Sequence, residues 1–527
     1  MKNATKILLS VLAALGLVIL ASSFILPDIL EPKLRRALIG EFYEQSNEQY
    51  QLELASINIS IWGREISADS IAVKTTDESL EIKHIKASSI LIDGIQWFTL
   101  FSQRFPRFRS VTVSEPDAEL YTRRISSAKP NPESPSANNS DITLSTFDVF
   151  IKSGKGKIVE RDGNVVFSLE SFDLSAREVN LNTILQGAYV PYLQDLSFSG
   201  AGLFWNLEEE FYHFTVDDFA FNKESKAARV EGLSFTPIVP KYDFAKFKGQ
   251  QLDRFDLTVQ SIQMENVDLD SLFIPSINLS NIIIESANLE VFHDKHMPPG
   301  PGIRFKPLLN DVAKQFGFSF GIDKLEVKNS NIAYGEHLPG SDNPGFITFA
   351  DLDATITGFY TAEHPKFGED SLRLDVMTRF MDASILNVDL AYAVQDKDET
   401  HTLKASLNEM DGTVLNGMLV NTAFTRIDRG YIHNLLIDLT LTDSYARGKM
   451  WLEYEDLKIT ALDENDATNT NFKTRLKSLI ANTFVMRSDN MGEDMKVAEI
   501  DYPRPKDKAI FGYWWKSIQS GLEETIK

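Results

Sequence analysis

From about residue 50 to about Ile459 the chain alternates apolar with polar residues, and a period of two admits few folds. Ile57, Ile59 and Ile61 alternate with Asn58 and Ser60, and Leu352, Ala354 and Ile356 with Asp353 and Thr355. Leu372, Leu374 and Val376 alternate with Arg373 and Asp375. Leu435, Ile437, Leu439 and Leu441 alternate with Leu436, Asp438 and Thr440. Successive side chains of a strand point to opposite faces, so each run reads as a strand with one apolar side. Such runs recur roughly every ten to fifteen residues, with few helical patterns between them. The expected fold is mainly β: a long, curved antiparallel sheet shaped as a groove or taco, with a few short helices.

The runs also resemble one another. Phe147-Asp-Val-Phe-Ile-Lys-Ser-Gly leads through a second strand to a turn at Asp162-Gly163, then to Val165-Val-Phe-Ser-Leu and Phe172-Asp-Leu. Ile322-Asp-Lys-Leu-Glu-Val-Lys-Asn leads through Ile332-Ala-Tyr and a Pro/Gly loop to Phe346-Ile-Thr-Phe and Leu352. Each unit is a strand, a Gly or Asn kink, a strand, a polar loop, and a strand ending near Asp-Leu. Weak repetition of a β unit predicts one sheet extended by addition.

The two ends carry helical signals. Ile7 to Leu26 is an apolar run after Lys2 and Lys6, long enough at 1.5 Å per residue to cover the roughly 30 Å of a bilayer core. It predicts a single transmembrane helix, with a cleaved signal peptide ending near Ala21-Ser22-Ser23 as the rival. Leu30, Leu34, Leu38 and Phe42 then recur every four positions, which predicts an amphipathic helix covering the first strand. Near the C-terminus Phe511, Trp515, Ile518, Leu522 and Ile526 share one helical face, with Asp507 at the expected cap.

Breaks in the pattern divide the chain. Residues 1–30 are the anchor, 31–50 the amphipathic helix, and 51–125 the first β segment. A Ser/Pro/Asn-rich loop at 126–141 precedes a second β segment at 142–296. Met297-Pro-Pro-Gly-Pro-Gly opens a third, 297–462, beginning with a short helix around Leu308, Val312 and Phe316. Residues 463–527 hold a loop and the C-terminal helix.

Composition excludes several classes of function. A net charge of −22 repels phosphate backbones and argues against nucleic acid as a partner. The absence of cysteine removes disulfides, thiolate metal sites and Cys nucleophiles. No P-loop, dinucleotide fingerprint or nucleophile elbow is present. His293-Asp-Lys-His296 is the only close histidine pair, and it precedes a Pro-Gly loop with no acidic partner placed by a motif. Asp217-Asp218 and Asp351-x-Asp353 read as solvated strand faces, and Trp62, Trp97, Trp205 and Trp451 as packing residues. The expectation is a non-enzyme without cofactor or metal.

A one-sided sheet cannot leave its apolar face in water. Closure into a sandwich or barrel is one solution. A gutter holding lipid chains is the other, since an acyl chain of roughly fifteen carbons gains on the order of 10 kcal/mol from shelter. Ile57, Ile59, Ile61, Leu352, Ala354, Ile356, Leu435, Ile437, Leu439 and Leu441 are the expected lining of such a groove.

The opening, a membrane helix and a Pro-led amphipathic helix followed by Ile57-Asn-Ile-Ser-Ile-Trp-Gly and Ile66-Ser-Ala-Asp-Ser-Ile-Ala-Val, resembles the AsmA-like envelope proteins, a superfamily that includes TamB-type proteins. Gly448-Lys-Met-Trp-Leu-Glu-Tyr-Glu-Asp-Leu-Lys-Ile and Ile510-Phe-Gly-Tyr-Trp-Trp-Lys-Ser-Ile-Gln-Ser-Gly-Leu are similar to the ends of members from Bacteroidetes-type bacteria. The resemblance implies an inner-membrane anchor, a periplasmic body, and kinship with repeating-β-groove, bridge-like lipid-transfer proteins that support outer-membrane lipid homeostasis. It implies no catalytic residues. The expected partners are phospholipid and, through the C-terminal helix, other envelope proteins. The alternative is an assembly factor or scaffold with a closed β core that binds protein clients.

Overall fold

The computed structural model describes residues 31–44, 46, 48–75, 82–97, 107–122, 146–179, 195–207, 211–267, 276–300, 306–315, 318–369, 371–462 and 486–527. The predicted span Ile7–Leu26, the loop 126–141 and the break at Asp463–Asn471 lie outside them. Among the described residues no helix is long and apolar enough to cross a membrane. Strands dominate, and they belong to a mixed sheet of 22 strands. The chain divides into two compact units, Met1–Asn206 with Thr215–Lys226, and Leu207–Phe214 with Ala227–Lys527.

The first unit starts with helix α1, residues 31–44. Its Leu34 and Ile39 lie against Leu54, Ile57, Ile71 and Ala87, so it covers the first strands, while Leu38 faces solvent. The strands are β1 (Tyr50–Glu53), β2 (Ser56–Ser60), β3 (Glu65–Thr75), β4 (Ile82–Asp93), β5 (Ser110–Ser114), β6 (Asp117–Tyr121), β7 (Phe147–Val159), β8 (Val165–Val179) and β9 (Asp195–Leu207). β1 and β2 both pair with β3, β3 with β4, and β4 with both β5 and β6. β7 pairs next, then β8 and β9. The turn between β7 and β8 is at Asp162-Gly163, where Gly163 takes φ +98° and the Asp162 carboxylate accepts the Asn164 N–H at 3.0 Å. Strand β10 (Tyr212–Asn222) belongs partly to each unit.

The second unit comprises β11 (Ala227–Pro237), α2 (Lys241–Lys248), β12 (Asp253–Glu265), β13 (Ser276–Asp294), α3 (Leu309–Gln315), β14 (Ser319–His337) and β15 (Gly345–Tyr360). It continues with β16 (Leu372–Phe380), β17 (Ser384–Tyr392), β18 (His401–Leu407), β19 (Met410–Asp411), α4 (Asn416–Thr422), β20 (Thr425–Leu441), β21 (Tyr445–Ala461), β22 (Val497–Pro503) and α5 (Ile510–Ile526). From β11 to β18 each strand pairs with the next in sequence, then β18 pairs with β20, β20 with β21, and β21 with β22.

The sheet is mixed, which corrects the expectation of an antiparallel one. β5 and β6 run parallel to β7, and β13 runs parallel to β14. Hairpins join only antiparallel strands, so each parallel pair needs a crossing segment. Residues 122–146 and 295–318 occupy those positions in the chain.

Helix α5 begins at Ile510 with Ala509 at its N-cap and no capping side chain, rather than at Asp507, whose carboxylate pairs with Lys508 at 3.2 Å. The stripe it turns to the sheet is Tyr513, Ser517, Gly521 and Thr525, all buried, with Ile510, Trp514, Ile518 and Leu522 beside it. Ile526 is half-buried, whereas Phe511 and Trp515, from the sequence-predicted face, are 72% and 47% exposed. The small stripe prevails because it lets the helix sit close. A Cβ on Gly521 would meet Ile500 Cδ1 at 2.7 Å and Met450 Cε at 2.9 Å.

Candidate functional site

Register converts the alternation of single strands into rows that cross the sheet. In the second unit Val230, Ile262, Ile284, Val327, Ala354, Val376, Val388, Ala405, Ile437, Met450 and Ala498 are successive cross-strand partners from β11 to β22. Two residues along each strand, Met264, Ile282, Leu325, Ile356, Leu374, Leu390, Leu403 and Leu439 make a second row. The first unit repeats the device. Ile57, Ala68, Ile90, Val113, Ile151, Leu174 and Phe198 form one row, and Ile59, Ile66, Ile92, Val111, Val149, Ala176 and Leu196 the other. In each unit the rows form an aliphatic band two residues wide, perpendicular to the strands.

The opposite face is charged. Between the two rows, Thr355, Asp375, Asp389, Lys404, Asp438, Lys449 and Glu499 are successive partners on the other side of the sheet. Lys404 lies 3.5 Å from Asp438, and Lys449 3.8 Å from Glu499. Partial burial, then the Asp389 carboxyl directly opposite, raises the Asp375 carboxyl above its ordinary range. A shallow concavity of about 860 Å³ on this polar face is bordered by Asp375, Asp389, Lys404 and Asp438 on one side and by Met377, Leu436 and Trp451 on the other.

A line of bulges crosses each unit along the band. Gly232, Ser286, Asn329 and Asp351, on β11, β13, β14 and β15, have φ of +62°, +53°, +49° and +47°. Ser70, Glu115, Ser153 and Gly202 do the same in the first unit, at +50°, +48°, +53° and +65°. Bulges bend their strands and steepen the twist. Beside the line Val259, Leu352, Ser330 and Thr378 are all under 10% exposed. Two of the non-glycine positions are held by carboxylates, whereas the Asp351 N–H donates to the Asn331 side-chain oxygen and the Glu115 N–H to the Lys152 carbonyl. Asp353 accepts the Asn329 N–H and Asp173 the Ser153 N–H, both at 2.9 Å.

Along the second-unit band, cover changes. From Val230 to Ala405 the first row is half-buried. At Ile437, Met450 and Ala498 it is buried beneath α5, together with Leu439, Leu441 and Tyr513, which have no exposure. The expected lining residues therefore separate. Ile57 and Ile59 stand in the first-unit rows, while Ile61 lies just past β2 and in neither. Leu352 sits at the bulge line, Ala354 lies in the half-buried first row, and Ile356 lies in the second row, packed against the buried cluster. Leu435, Ile437, Leu439 and Leu441 belong to the packed cluster under α5. Sequence reading named Leu374 and Val376 only as strand residues and passed over Val388, Leu390, Leu403 and Ala405. Their signal was the same alternation, in Leu386-Asn-Val-Asp-Leu and Leu403-Lys-Ala-Ser-Leu.

Beneath α5 a polar pair is enclosed. Trp514 donates to His401, whose ring stacks on Tyr392 at 4.8 Å. Burial pushes the His401 imidazole down to about 4.

The histidine pair and the Asp351-x-Asp353 pair singled out in the sequence have partners. His293 meets Asp253 at 2.7 Å, while His296 meets Asp294 at 2.6 Å and stacks edge-on to His337 at 4.7 Å. Asp351 pairs with Arg379, and Asp353 holds the bulge. Among the described residues no group of three His, Cys, Asp or Glu side chains is placed to hold a metal ion. No protein-family model matches the chain, and no curated protein matches its sequence.

Proposed function

We propose that the apolar band binds lipid acyl chains, and that the protein is a non-catalytic carrier or conduit for phospholipid in a bacterial-type envelope. The observation that carries this reading is the half-buried first row running from Val230 to Ala405 in the second unit, beside a second row that is buried at Ile282, Leu390 and Leu403. Rows perpendicular to the strands suit a flexible chain lying across the sheet, and each sheltered CH₂ contributes about 0.8 kcal/mol. The resemblance to AsmA-like proteins supports the same reading and adds an inner-membrane anchor at Ile7–Leu26, a periplasmic body and a role in outer-membrane lipid homeostasis. Mass spectrometry of the purified full chain tests it. Co-purifying phospholipid, lost when the half-open row is made polar, is the expected result. A lipid-free protein indifferent to that change overturns it. Deleting residues 1–30 tests the anchor: the body is released from membranes, and a truncated chain that still pellets in high salt overturns a single anchor.

The packed cluster under α5 favours a second reading for that end of the sheet, a closed-core scaffold for protein clients. A scaffold retains its client when lipid is stripped away, and a lipid carrier has no such client.

A further inference from the structure

Helix α2 connects β11 to β12 at the strand ends and packs on β12 and β13. Its inner side is settled: Phe244 and Ala245 are buried, and Phe244 lies 5.5 Å from the Tyr212 ring and 6.4 Å from Phe211. Its outer side is not what a water-facing helix of eight residues needs. Phe247 is 65% exposed, Ile238 39% and Tyr242 38%. Phe247 lies 5.7 Å from the Phe211 ring, over which the Lys248 ammonium sits at 4.6 Å. The helix sequence holds three lysines and one aspartate, in a chain whose net charge is −22. Lys241 pairs with Glu290 at 2.8 Å and Lys246 with Asp243 at 3.0 Å, so the segment's excess positive charge is modest but opposite in sign to the whole molecule.

We propose that this segment, Ile238 to Lys248, docks on an anionic phospholipid bilayer. Exposed rings flanked by lysines match the interfacial zone, where aromatic bodies sit at the headgroup level and lysine stems carry their charges to the phosphates. A bilayer of anionic lipid is attracted by the local lysines, although the acidic remainder of the chain is repelled. Docking would place a bilayer at the ends of β11 and β12 that α2 connects. It goes beyond lipid binding by the band, and each stands or falls separately.

The chain has no cysteine, so one introduced cysteine reports from one place. The full chain carrying Phe247→Cys, labelled with an environment-sensitive fluorophore, is mixed with phosphatidylcholine vesicles with and without phosphatidylglycerol. Lys404→Cys on the polar sheet face is the control. The expected result is a blue shift, and quenching by nitroxide-labelled lipid, at position 247 alone and stronger with phosphatidylglycerol. Lys246→Gln combined with Lys248→Gln weakens the apparent affinity for these vesicles on the order of 25-fold, since a lysine near an anionic surface contributes roughly a factor of five. Thermal melting of each labelled variant verifies that the exposed substitutions leave the fold intact. A bound chain with no shift at 247, or equal shifts at 247 and 404, overturns the proposal. So does a signal at 247 that needs a second protein rather than vesicles. Lipid found on the band by mass spectrometry with no shift at 247 would sink docking and leave the carrier reading standing.

Discussion

The indole N–H of Trp514 donates to Nε2 of His401 at 3.0 Å, and Nδ1 of the same ring bonds the Glu399 carbonyl at 2.9 Å. An indole N–H only donates and a carbonyl only accepts, so the ring is fixed as the neutral Nδ1–H tautomer. Burial lowers its pKa from 6.5 to about 4. The folded state thus disfavours the proton that the unfolded chain takes up near 6.5. The contribution to stability is complete above that pH and is lost as pH falls through the window down to about 4. Its full size is about 3 kcal/mol. Melting followed from pH 7 to pH 4 should show this slope in the wild type. His401→Gln, which keeps an acceptor for Trp514, should lack that component while retaining whatever the carboxylates add.

Gly521 sets how closely α5 approaches Met450 and Ile500. Gly521→Leu forces the helix outward against a buried surface, at a cost of about 1–3 kcal/mol. The expected readouts are a lower melting temperature and new binding of a hydrophobic dye at the uncovered β20–β22 end. Unchanged melting and no dye binding would mean that α5 is not seated on those residues.

The bulge at Asn329 depends on its carboxylate partner. Asp353→Ala removes the acceptor of the Asn329 N–H and should cost about 1 kcal/mol, while Asp353→Asn, whose amide oxygen still accepts, should cost less. Asn329→Val places a β-branched residue at φ +49° and should cost more than either. Denaturant midpoints rank the three, and a different order would show that the bulge is held by something else.

Much of this fold was legible in the residues because a period of two leaves one solution for each strand. The positive-φ bulges of the repeats are Ser153, just before the Gly154 of the sequence motif, and Asn329; the capping carboxylates are Asp173 of the Asp-Leu in the first and Asp353, just after Asp351-Leu352, in the second. The spacing was visible, but not its purpose, since the partner lies on another strand. Direction was illegible for the same reason. Nothing in Ile277–His293 says that its neighbour Phe320–Glu336 runs parallel, because the crossing segment between them decides it. Cover was the least legible: Ile437 and Val376 have the same alternation, and only α5, distant in sequence, makes one core and leaves the other half-open.

That difference separates lining from core in a test. Ile437 is 5% exposed beneath α5, whereas Val376 lies in the same row on β16 and is half-buried. Ile437→Asp encloses a carboxylate among apolar groups and should cost about 4 kcal/mol or more, enough to obscure any effect on binding. Val376→Asp can hydrate its carboxylate from the open side and should cost only about 1–2 kcal/mol. If acyl chains lie along the row, Val376→Asp should release lipid from a protein that still melts cooperatively. Substitution by leucine at the same position should retain lipid, because it keeps the surface apolar. Equal stability loss at 376 and 437 would mean that the whole row is closed core, and lipid retained by Val376→Asp would mean that the chains do not cross the sheet there.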